Sequence, residues 1–215
     1  MVLCLGDFIV RCLEFSPGTC STRCQPFSRR ILLSFKSFLL YVRPACIPPV
    51  VRLLDFPDRH RVLSAEGWLE LGSSAEAAQE LRLISRAAES HPDVLELRWR
   101  LYAAKGAWDV ALDVARVVSQ IDPARPSGWI HQSFSLHELK RTGEARDLLL
   151  PLANRFPKDS IIPFNLACYA CHLGNLTEAR EWLLRARKLL PKAEFKSMAL
   201  ADSDLAPLHD YIETL

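Results

Sequence analysis

A period of 34 residues in the second half of the sequence constrains the fold more than any other feature. Prolines recur at that spacing, each after a stretch with helical periodicity: Pro123, Pro157 and Pro191. Alanines share the period: Ala111, Ala145 and Ala179. A period in the range of 20–50 residues indicates a repeat architecture built from one supersecondary unit. A unit of that length cannot bury its apolar face alone, so neighbouring units must stack.

Each period also contains one position typical of a tight turn between two helices, occupied by Gly106, Lys140 and Gly174. Glycine suits a turn that ends a helix because it adopts a positive φ without a steric penalty. Lys140 departs from that preference, and we expect Gly143 to relieve the turn. The pattern therefore predicts helix–turn–helix units and no strand.

These residues resemble the tetratricopeptide repeat (TPR) family, whose 34-residue unit carries Trp, Leu-Gly and Tyr early and Ala, Phe and Pro later. The most specific match is NLACYACHLGNLTEAREWLLRA, residues 165–186. Within the family, the chain resembles bacterial repeat proteins with no assigned activity. The resemblance covers roughly residues 58–200 and implies an all-α fold, an α-α superhelix of about four repeats with a C-terminal capping helix.

Alignment of the chain with the 34-residue unit of the family places the repeats at 58–91, 92–125, 126–159 and 160–193, followed by a cap at 194–215. Asp202 or Ser203 is expected to begin a short helix in the cap. The apolar residues of the cap should cover the open face of the last repeat: Phe195, Met198, Leu205, Leu208 and Tyr211.

Single residues predict where several helices begin and end. Ser127 and either Asp159 or Ser160 are natural N-caps. Pro163 is expected in the first turn of a helix, where its missing N–H matters little. Pro151 is expected to bend or break a helix.

Residues 1–57 differ from the repeats and are expected to form a poorly ordered, largely irregular extension. They contain seven Lys or Arg against three Asp or Glu, and five of the seven cysteines. Their apolar run Ile31–Val42 has twelve residues and includes Lys36, whereas a bilayer-spanning helix needs about twenty. A signal peptide, an organelle presequence and a start codon assigned too early stay open as alternatives. Cys20 and Cys24 have ligand-like spacing, but no matching second pair follows, so zinc is not expected.

No motif in the chain predicts catalysis. The sequence contains no Gly-rich phosphate loop, G-x-S-x-G or nucleotide fingerprint. Cys168 and Cys171 are one turn apart within a predicted helix, where we interpret them as packing residues rather than a redox or metal pair. His131 and His137 lack the i, i+4 spacing of a helical zinc site. We therefore expect a non-enzymatic protein with no cofactor and no metal.

The TPR resemblance implies a partner-binding groove, because the first helix of each repeat lines the concave face in that family. The groove positions of the family fall on nine residues: Glu96, Arg100, Ile130, Phe134, His137, Ile161, Phe164, Asn165 and Cys168. Asn165 matches a position that contacts the ligand backbone in peptide-binding members. Only Arg100 and Asn165 match the set with which some members clamp acidic tails, so we favour a mixed apolar groove for an extended or helical peptide. Ordinary packing is the alternative for Phe134 and Phe164.

The sequence thus predicts a cytoplasmic scaffold or adaptor that binds another protein or peptide. Its net charge of +2 indicates neither nucleic acid nor an acidic membrane surface as a partner. A self-assembling structural unit, in which the extension or the end caps mediate oligomers, is a second hypothesis from a different class. A thiol-based sensor that uses Cys168 and Cys171 is a third. The oligomeric state is left open.

Overall fold

The structure, a computed structural model, describes residues 53–215, and every regular element in that range is helical. The α-helices are α1 (Asp58–Glu70), α2 (Ser74–Arg82), α3 (Pro92–Ala104), α4 (Trp108–Ile121), α5 (Pro126–Glu138), α6 (Thr142–Leu149), α7 (Leu152–Arg155), α8 (Ile161–His172), α9 (Leu176–Leu189), α10 (Lys192–Ala201) and α11 (His209–Thr214). A 3-10 helix, Ser203–Leu208, lies between α10 and α11.

Four helix pairs follow one another along the chain: α1 with α2, α3 with α4, α5 with α6, and α8 with α9. The turn inside each pair contains one residue with a positive φ, at Gly72, Gly106, Lys140 and Gly174. These four residues are spaced 34 apart, so one backbone conformation repeats with the sequence period. Lys140 itself adopts the left-handed conformation, with a φ of 63°. The expectation that Gly143 relieves this turn is wrong, because Gly143 lies in the first turn of α6.

Lys140→Gly is expected to raise the free energy of unfolding by about 0.5–1 kcal/mol. A left-handed backbone costs a residue with a Cβ about 1–2 kcal/mol, and glycine loses part of that gain through its freer unfolded state. Lys105→Gly is the matched control, since Lys105 has a φ of −92° and gains nothing from glycine. Urea denaturation of both variants measures the difference. Equal destabilisation of the two would contradict the assigned strain at Lys140.

Side chains at the helix ends confirm part of the capping predicted from sequence. Asp159 Oδ1 accepts hydrogen bonds from the backbone N–H groups of Ile161 (2.9 Å) and Ile162 (3.0 Å) at the start of α8. Asn175, not foreseen as a cap, accepts from the N–H of Glu178 at the start of α9 (3.2 Å). The prediction that Ser127 is an N-cap is wrong. Arg125 occupies the cap position of α5 and Pro126 follows it, and the Ser127 hydroxyl instead donates to Glu96 Oε1.

Proline positions also behave as expected. Pro151 separates α6, which ends at Leu149, from the short α7, which begins at Leu152. This break agrees with the inability of proline to continue a helix. Pro163 lies in the first turn of α8 and is buried there.

Hydrogen bonds between successive pairs show that the pairs stack in one direction. The first helices are linked by Trp99 Nε1 to Ser135 Oγ (3.0 Å) and by Tyr169 Oη to Ser133 Oγ (3.2 Å), each across 36 residues. Second helices are linked by Arg146 to Glu178 (2.8 Å), across 32 residues. Residues about one period apart therefore lie side by side, as stacking of like units requires.

Small residues allow the stacked helices to approach closely. Ala111, Ala145 and Ala179, which carry the sequence period, are all fully buried. Gly128 on α5 lies against α4, where a Cβ on residue 128 would be 2.7 Å from the backbone nitrogen of Ser119. The core between the helices is consequently continuous from α4 to the end of the chain.

The C-terminal segment covers the last pair. Phe195, Leu205 and Leu208 are buried as predicted, and Met198 and Tyr211 pack against the same core at its margin. Ile212, which was not among the predicted residues, is fully buried as well. Asp202 Oδ1 accepts from the backbone N–H of Asp204 (2.9 Å) and so caps the 3-10 helix. The capping role of these residues follows from their burial against α8 and α9.

The expectations for the extension at 1–57, including Cys20, Cys24 and the run Ile31–Val42, lie almost wholly outside the described residues. Within residues 53–215, no helix combines the length and apolar character needed to cross a bilayer.

Candidate partner-binding face

The nine groove residues implied by the TPR resemblance lie on three neighbouring first helices. Glu96 and Arg100 are on α3, three residues are on α5 and four are on α8. Seven of the nine are buried, whereas Phe134 and Ile161 are partly exposed. The structure therefore brings the set together, but contacts within the chain cover most of it.

The two charged groove residues on α3 are used for contacts between repeats. Arg100 Nη1 donates to Glu66 Oε1 on α1 (3.1 Å), and Glu96 accepts from Ser127 and from Arg125. Burial raises the pKa of Glu96, although Ser127 and Arg125 oppose the change. Removing one partner of such a pair leaves a buried charge unsatisfied, so the loss of either side chain is expected to destabilise the stack.

Phe134 belongs to an aromatic cluster between α3, α4 and α5. Its ring lies edge-on to Trp99, with centroids 6.2 Å apart, and tilted against Trp108 at 5.7 Å. His131 stacks on Trp99 with centroids 3.7 Å apart and ring planes 5° apart. Phe134 thus packs against other rings of the chain and also keeps part of its surface exposed.

Burial, together with the nearby Arg100 charge, lowers the pKa of His131 to about 3. Its Nδ1 is buried and has no hydrogen-bond partner among the described residues. The neutral imidazole is therefore the form that the fold accommodates.

Stability is expected to fall as the pH drops below about 6.5 because of His131. In the unfolded chain His131 titrates near 6.5, so between pH 6.5 and 3 the unfolded state binds a proton that the folded state does not. The stabilisation of the folded state by neutral His131 is therefore fully present above about pH 6.5 and is lost as the pH falls toward 3. Between pH 7 and pH 5 the parent should lose about 1–2 kcal/mol more than His131→Phe, which keeps a ring on Trp99. Identical losses in urea denaturation would contradict a neutral His131.

Among the groove residues on α8, Cys168 contacts the C-terminal cap. Cys168 Sγ donates to Asp202 Oδ2 (3.5 Å), and Phe164 is 1% exposed. Asn165 is 5% exposed, and its Nδ2 has no hydrogen-bond partner among the described residues. An amide donor left in this state costs about 1–3 kcal/mol, so Asn165 requires an explanation other than stability.

The two cysteines of α8 are free and buried, as the packing interpretation expects. Burial, together with Asp202 and Asp204, raises the pKa of Cys168 well above its ordinary value. The pKa of Cys171 is raised by the same causes. Reactive cysteines are exposed and have a depressed pKa, so neither thiol has the surroundings of a sensor.

A cluster of two histidines and an aspartate at the end of this face was not predicted from the sequence. His137 Nε2 is 2.8 Å from Asp204 Oδ2, and His172 Nδ1 is 3.5 Å from Asp204 Oδ1. His137 and His172 are 35 residues apart, and Asp204 follows His172 by 32. These spacings are close to the repeat period of 34 residues. They were the signal in the sequence from which the proximity of the three residues could have been predicted.

A second surface lies at the other end of the stack, on α1 and Leu71, the residue that follows it. Leu63, Trp68 and Leu71 are 56%, 38% and 75% exposed. With Ser64 and Gly67 they line a shallow, mainly apolar groove. No described element covers this face.

The fold is similar to that of solved helical repeat proteins. "MamA RS-1 ArsTM double mutant" is 17% identical over 75% of this chain and 93% of that chain, with a TM-score of 0.55. "MamA AMB-1 C2221" is 17% identical over 74% of this chain and 95% of that chain, with a TM-score of 0.50. No protein-family model and no curated protein matches the sequence. Since both structures are TPR-like solenoids, the likeness shows that this chain has an all-α, TPR-type solenoid fold.

Proposed function

We propose that the chain is a non-enzymatic scaffold that binds another protein through the face formed by α5 and α8. The observation that carries the proposal is the buried Asn165 amide, whose Nδ2 has no hydrogen-bond partner within residues 53–215. A residue that costs stability is often retained for function. The TPR resemblance supports the same conclusion, because Asn165 occupies a position that contacts the ligand backbone in peptide-binding members.

Two apolar groove residues on α5 and α8 supply contact area for a partner. Phe134 and Ile161 are the groove residues that keep part of their surface exposed. An extended peptide that packs against them can accept a hydrogen bond from Asn165 with a backbone carbonyl, as in other peptide-recognition grooves. Because Asn165 Nδ2 is buried in the free chain, such binding includes a local movement of the side chains around it.

Asn165→Leu separates this function from stability. The two side chains have similar volumes, so the variant is expected to keep or raise its thermal stability while it loses the partner. Asn154→Leu is the matched control, since Asn154 is exposed on α7. Affinity capture with identification by mass spectrometry should recover a protein with the parent and the control but not with Asn165→Leu. Recovery of the same proteins by all three would remove Asn165 and the face from the proposal.

A self-assembling unit is the second candidate function, and the exposed face of α1 favours it. Leu63 and Leu71 lie at the end of the stack, where addition of another helix pair would cover them, as in any solenoid. Light scattering of the full chain and of Leu63→Lys tests this candidate, with Leu184→Lys on α9, 42% exposed, as the control. An oligomer lost only in Leu63→Lys supports self-assembly. A parent that is monomeric at all concentrations excludes it.

A further inference from the structure

The cluster at the C-terminal end of the partner-binding face has the composition of a metal site. One ligand atom from each of His137, His172 and Asp204 lies within 4.8 Å of the others. The three residues come from the end of α5, the end of α8 and the 3-10 helix. The three side chains therefore meet at one point although they come from three separate elements, and no single helix or repeat supplies all of them.

Neighbouring groups orient two of the three side chains. His137 Nδ1 is 3.0 Å from Thr142 Oγ1, which leaves Nε2 directed at Asp204. The backbone N–H of Asp204 donates to Asp202 Oδ1 (2.9 Å) and fixes the turn that carries the carboxylate. Metal-binding histidines commonly use their second ring nitrogen in this way. The support for the ligands is thus already in place.

Charge and access also fit a cation. Asp204 supplies a carboxylate oxygen beside the two imidazole rings. The His172 side chain is 41% exposed and provides a path from solvent. Bound zinc has tetrahedral ligands at about 2.0–2.2 Å, which places ligand atoms about 3.4 Å from one another. His137 Nε2 and Asp204 Oδ2, now 2.8 Å apart, must therefore separate slightly to admit an ion, and the His172 side chain must turn toward it.

We propose that His137, His172 and Asp204 bind one divalent transition-metal ion of the zinc class. Two imidazole nitrogens and one carboxylate oxygen suit zinc and its neighbours, whereas Mg²⁺ and Ca²⁺ take mostly oxygen ligands. The bound ion joins α5 and α8 to the cap, so it fastens the C-terminal segment to two successive repeats. This proposal does not depend on the identity of any protein partner.

Titration calorimetry on the full chain, cleared of metal with a chelator, tests the proposal. Zn²⁺ is expected to bind and Mg²⁺ is not. His172→Ala and Asp204→Asn should each weaken Zn²⁺ binding at least about tenfold, by analogy with the loss seen when ligand surroundings are altered. His60→Ala, an exposed histidine on α1, is the matched control and should bind as the parent does.

Cysteines elsewhere in the chain also attract zinc, and Co²⁺ distinguishes the two kinds of site. At His137, His172 and Asp204, Co²⁺ should give a visible spectrum without a thiolate charge-transfer band, and His172→Ala should abolish it. Zinc affinity that is unchanged in both His172→Ala and Asp204→Asn overturns the proposal. A Co²⁺ spectrum dominated by thiolate ligands and unaltered in His172→Ala overturns it as well.

Discussion

Trp99→Ala is expected to lower the free energy of unfolding by about 3–5 kcal/mol, the range for a large aromatic residue removed from a core. Trp99 is 2% exposed, stacks on His131 and donates its indole N–H to Ser135. Alanine in its place creates a cavity between α3 and α5 and removes the indole N–H that donates to the Ser135 hydroxyl. Because these contacts join two repeats, the loss should extend beyond the helix that carries the substitution.

Trp68→Ala is the matched control for this prediction. Trp68 is 38% exposed on α1, at the end of the stack, so its removal should cost less than half as much. Urea denaturation followed by circular dichroism gives both values. Equal losses in the two variants would contradict the assignment of Trp99 to the interface between repeats.

Gly128→Ala is expected to destabilise the chain by about 1–3 kcal/mol or more, the range for overpacking, although alanine is the better helix former. The new Cβ would lie 2.7 Å from the Ser119 nitrogen and 3.0 Å from Ser119 Cα and Val118 Cγ1. Two of these atoms belong to the backbone of α4, so relief requires the helices to separate. The clash therefore outweighs the gain in helix propensity, which is about 1 kcal/mol.

Gly67→Ala is the same substitution without the clash. Gly67 lies inside α1, and a Cβ there would meet nothing within 4 Å. This variant should gain about 0.5–1 kcal/mol, so the two alanines are expected to act in opposite directions. Thermal and urea unfolding measure the sign. If both variants stabilise the chain, α4 and α5 do not approach as closely as the structure shows.

The helices and their pairing could be predicted from the repeat period, because the residues that recur in it act through local backbone preferences. The turn positions Gly106 and Gly174 and the break at Pro151 depend on backbone preferences of single residues, which sequence reveals. Lys140 shows the limit of this reasoning. Stacking keeps the turn in its left-handed form although the residue there disfavours it, so tertiary structure overrides local preference.

The candidate site was harder to foresee because its contacts are made between repeats. Ser127 was expected to cap a helix, yet its hydroxyl donates to Glu96 on the preceding pair. Cys168 was counted among the groove residues as well as interpreted as a packing residue, and it contacts Asp202 of the cap. The sequence predicts which helix carries each side chain, but the depth to which the cap covers α8 depends on packing that no local pattern contains.

The stacking of first helices at one-period spacing is the claim on which the rest depends, and proton NMR tests it most directly. The Trp99 indole N–H resonance is well separated from other signals, and it should show nuclear Overhauser contacts to Ser135 and His131. The Tyr169 ring should show contacts to Ser133 and His137, whose ring centroid is 5.1 Å away. An indole with contacts only to residues of α3 and α4 would contradict the stack.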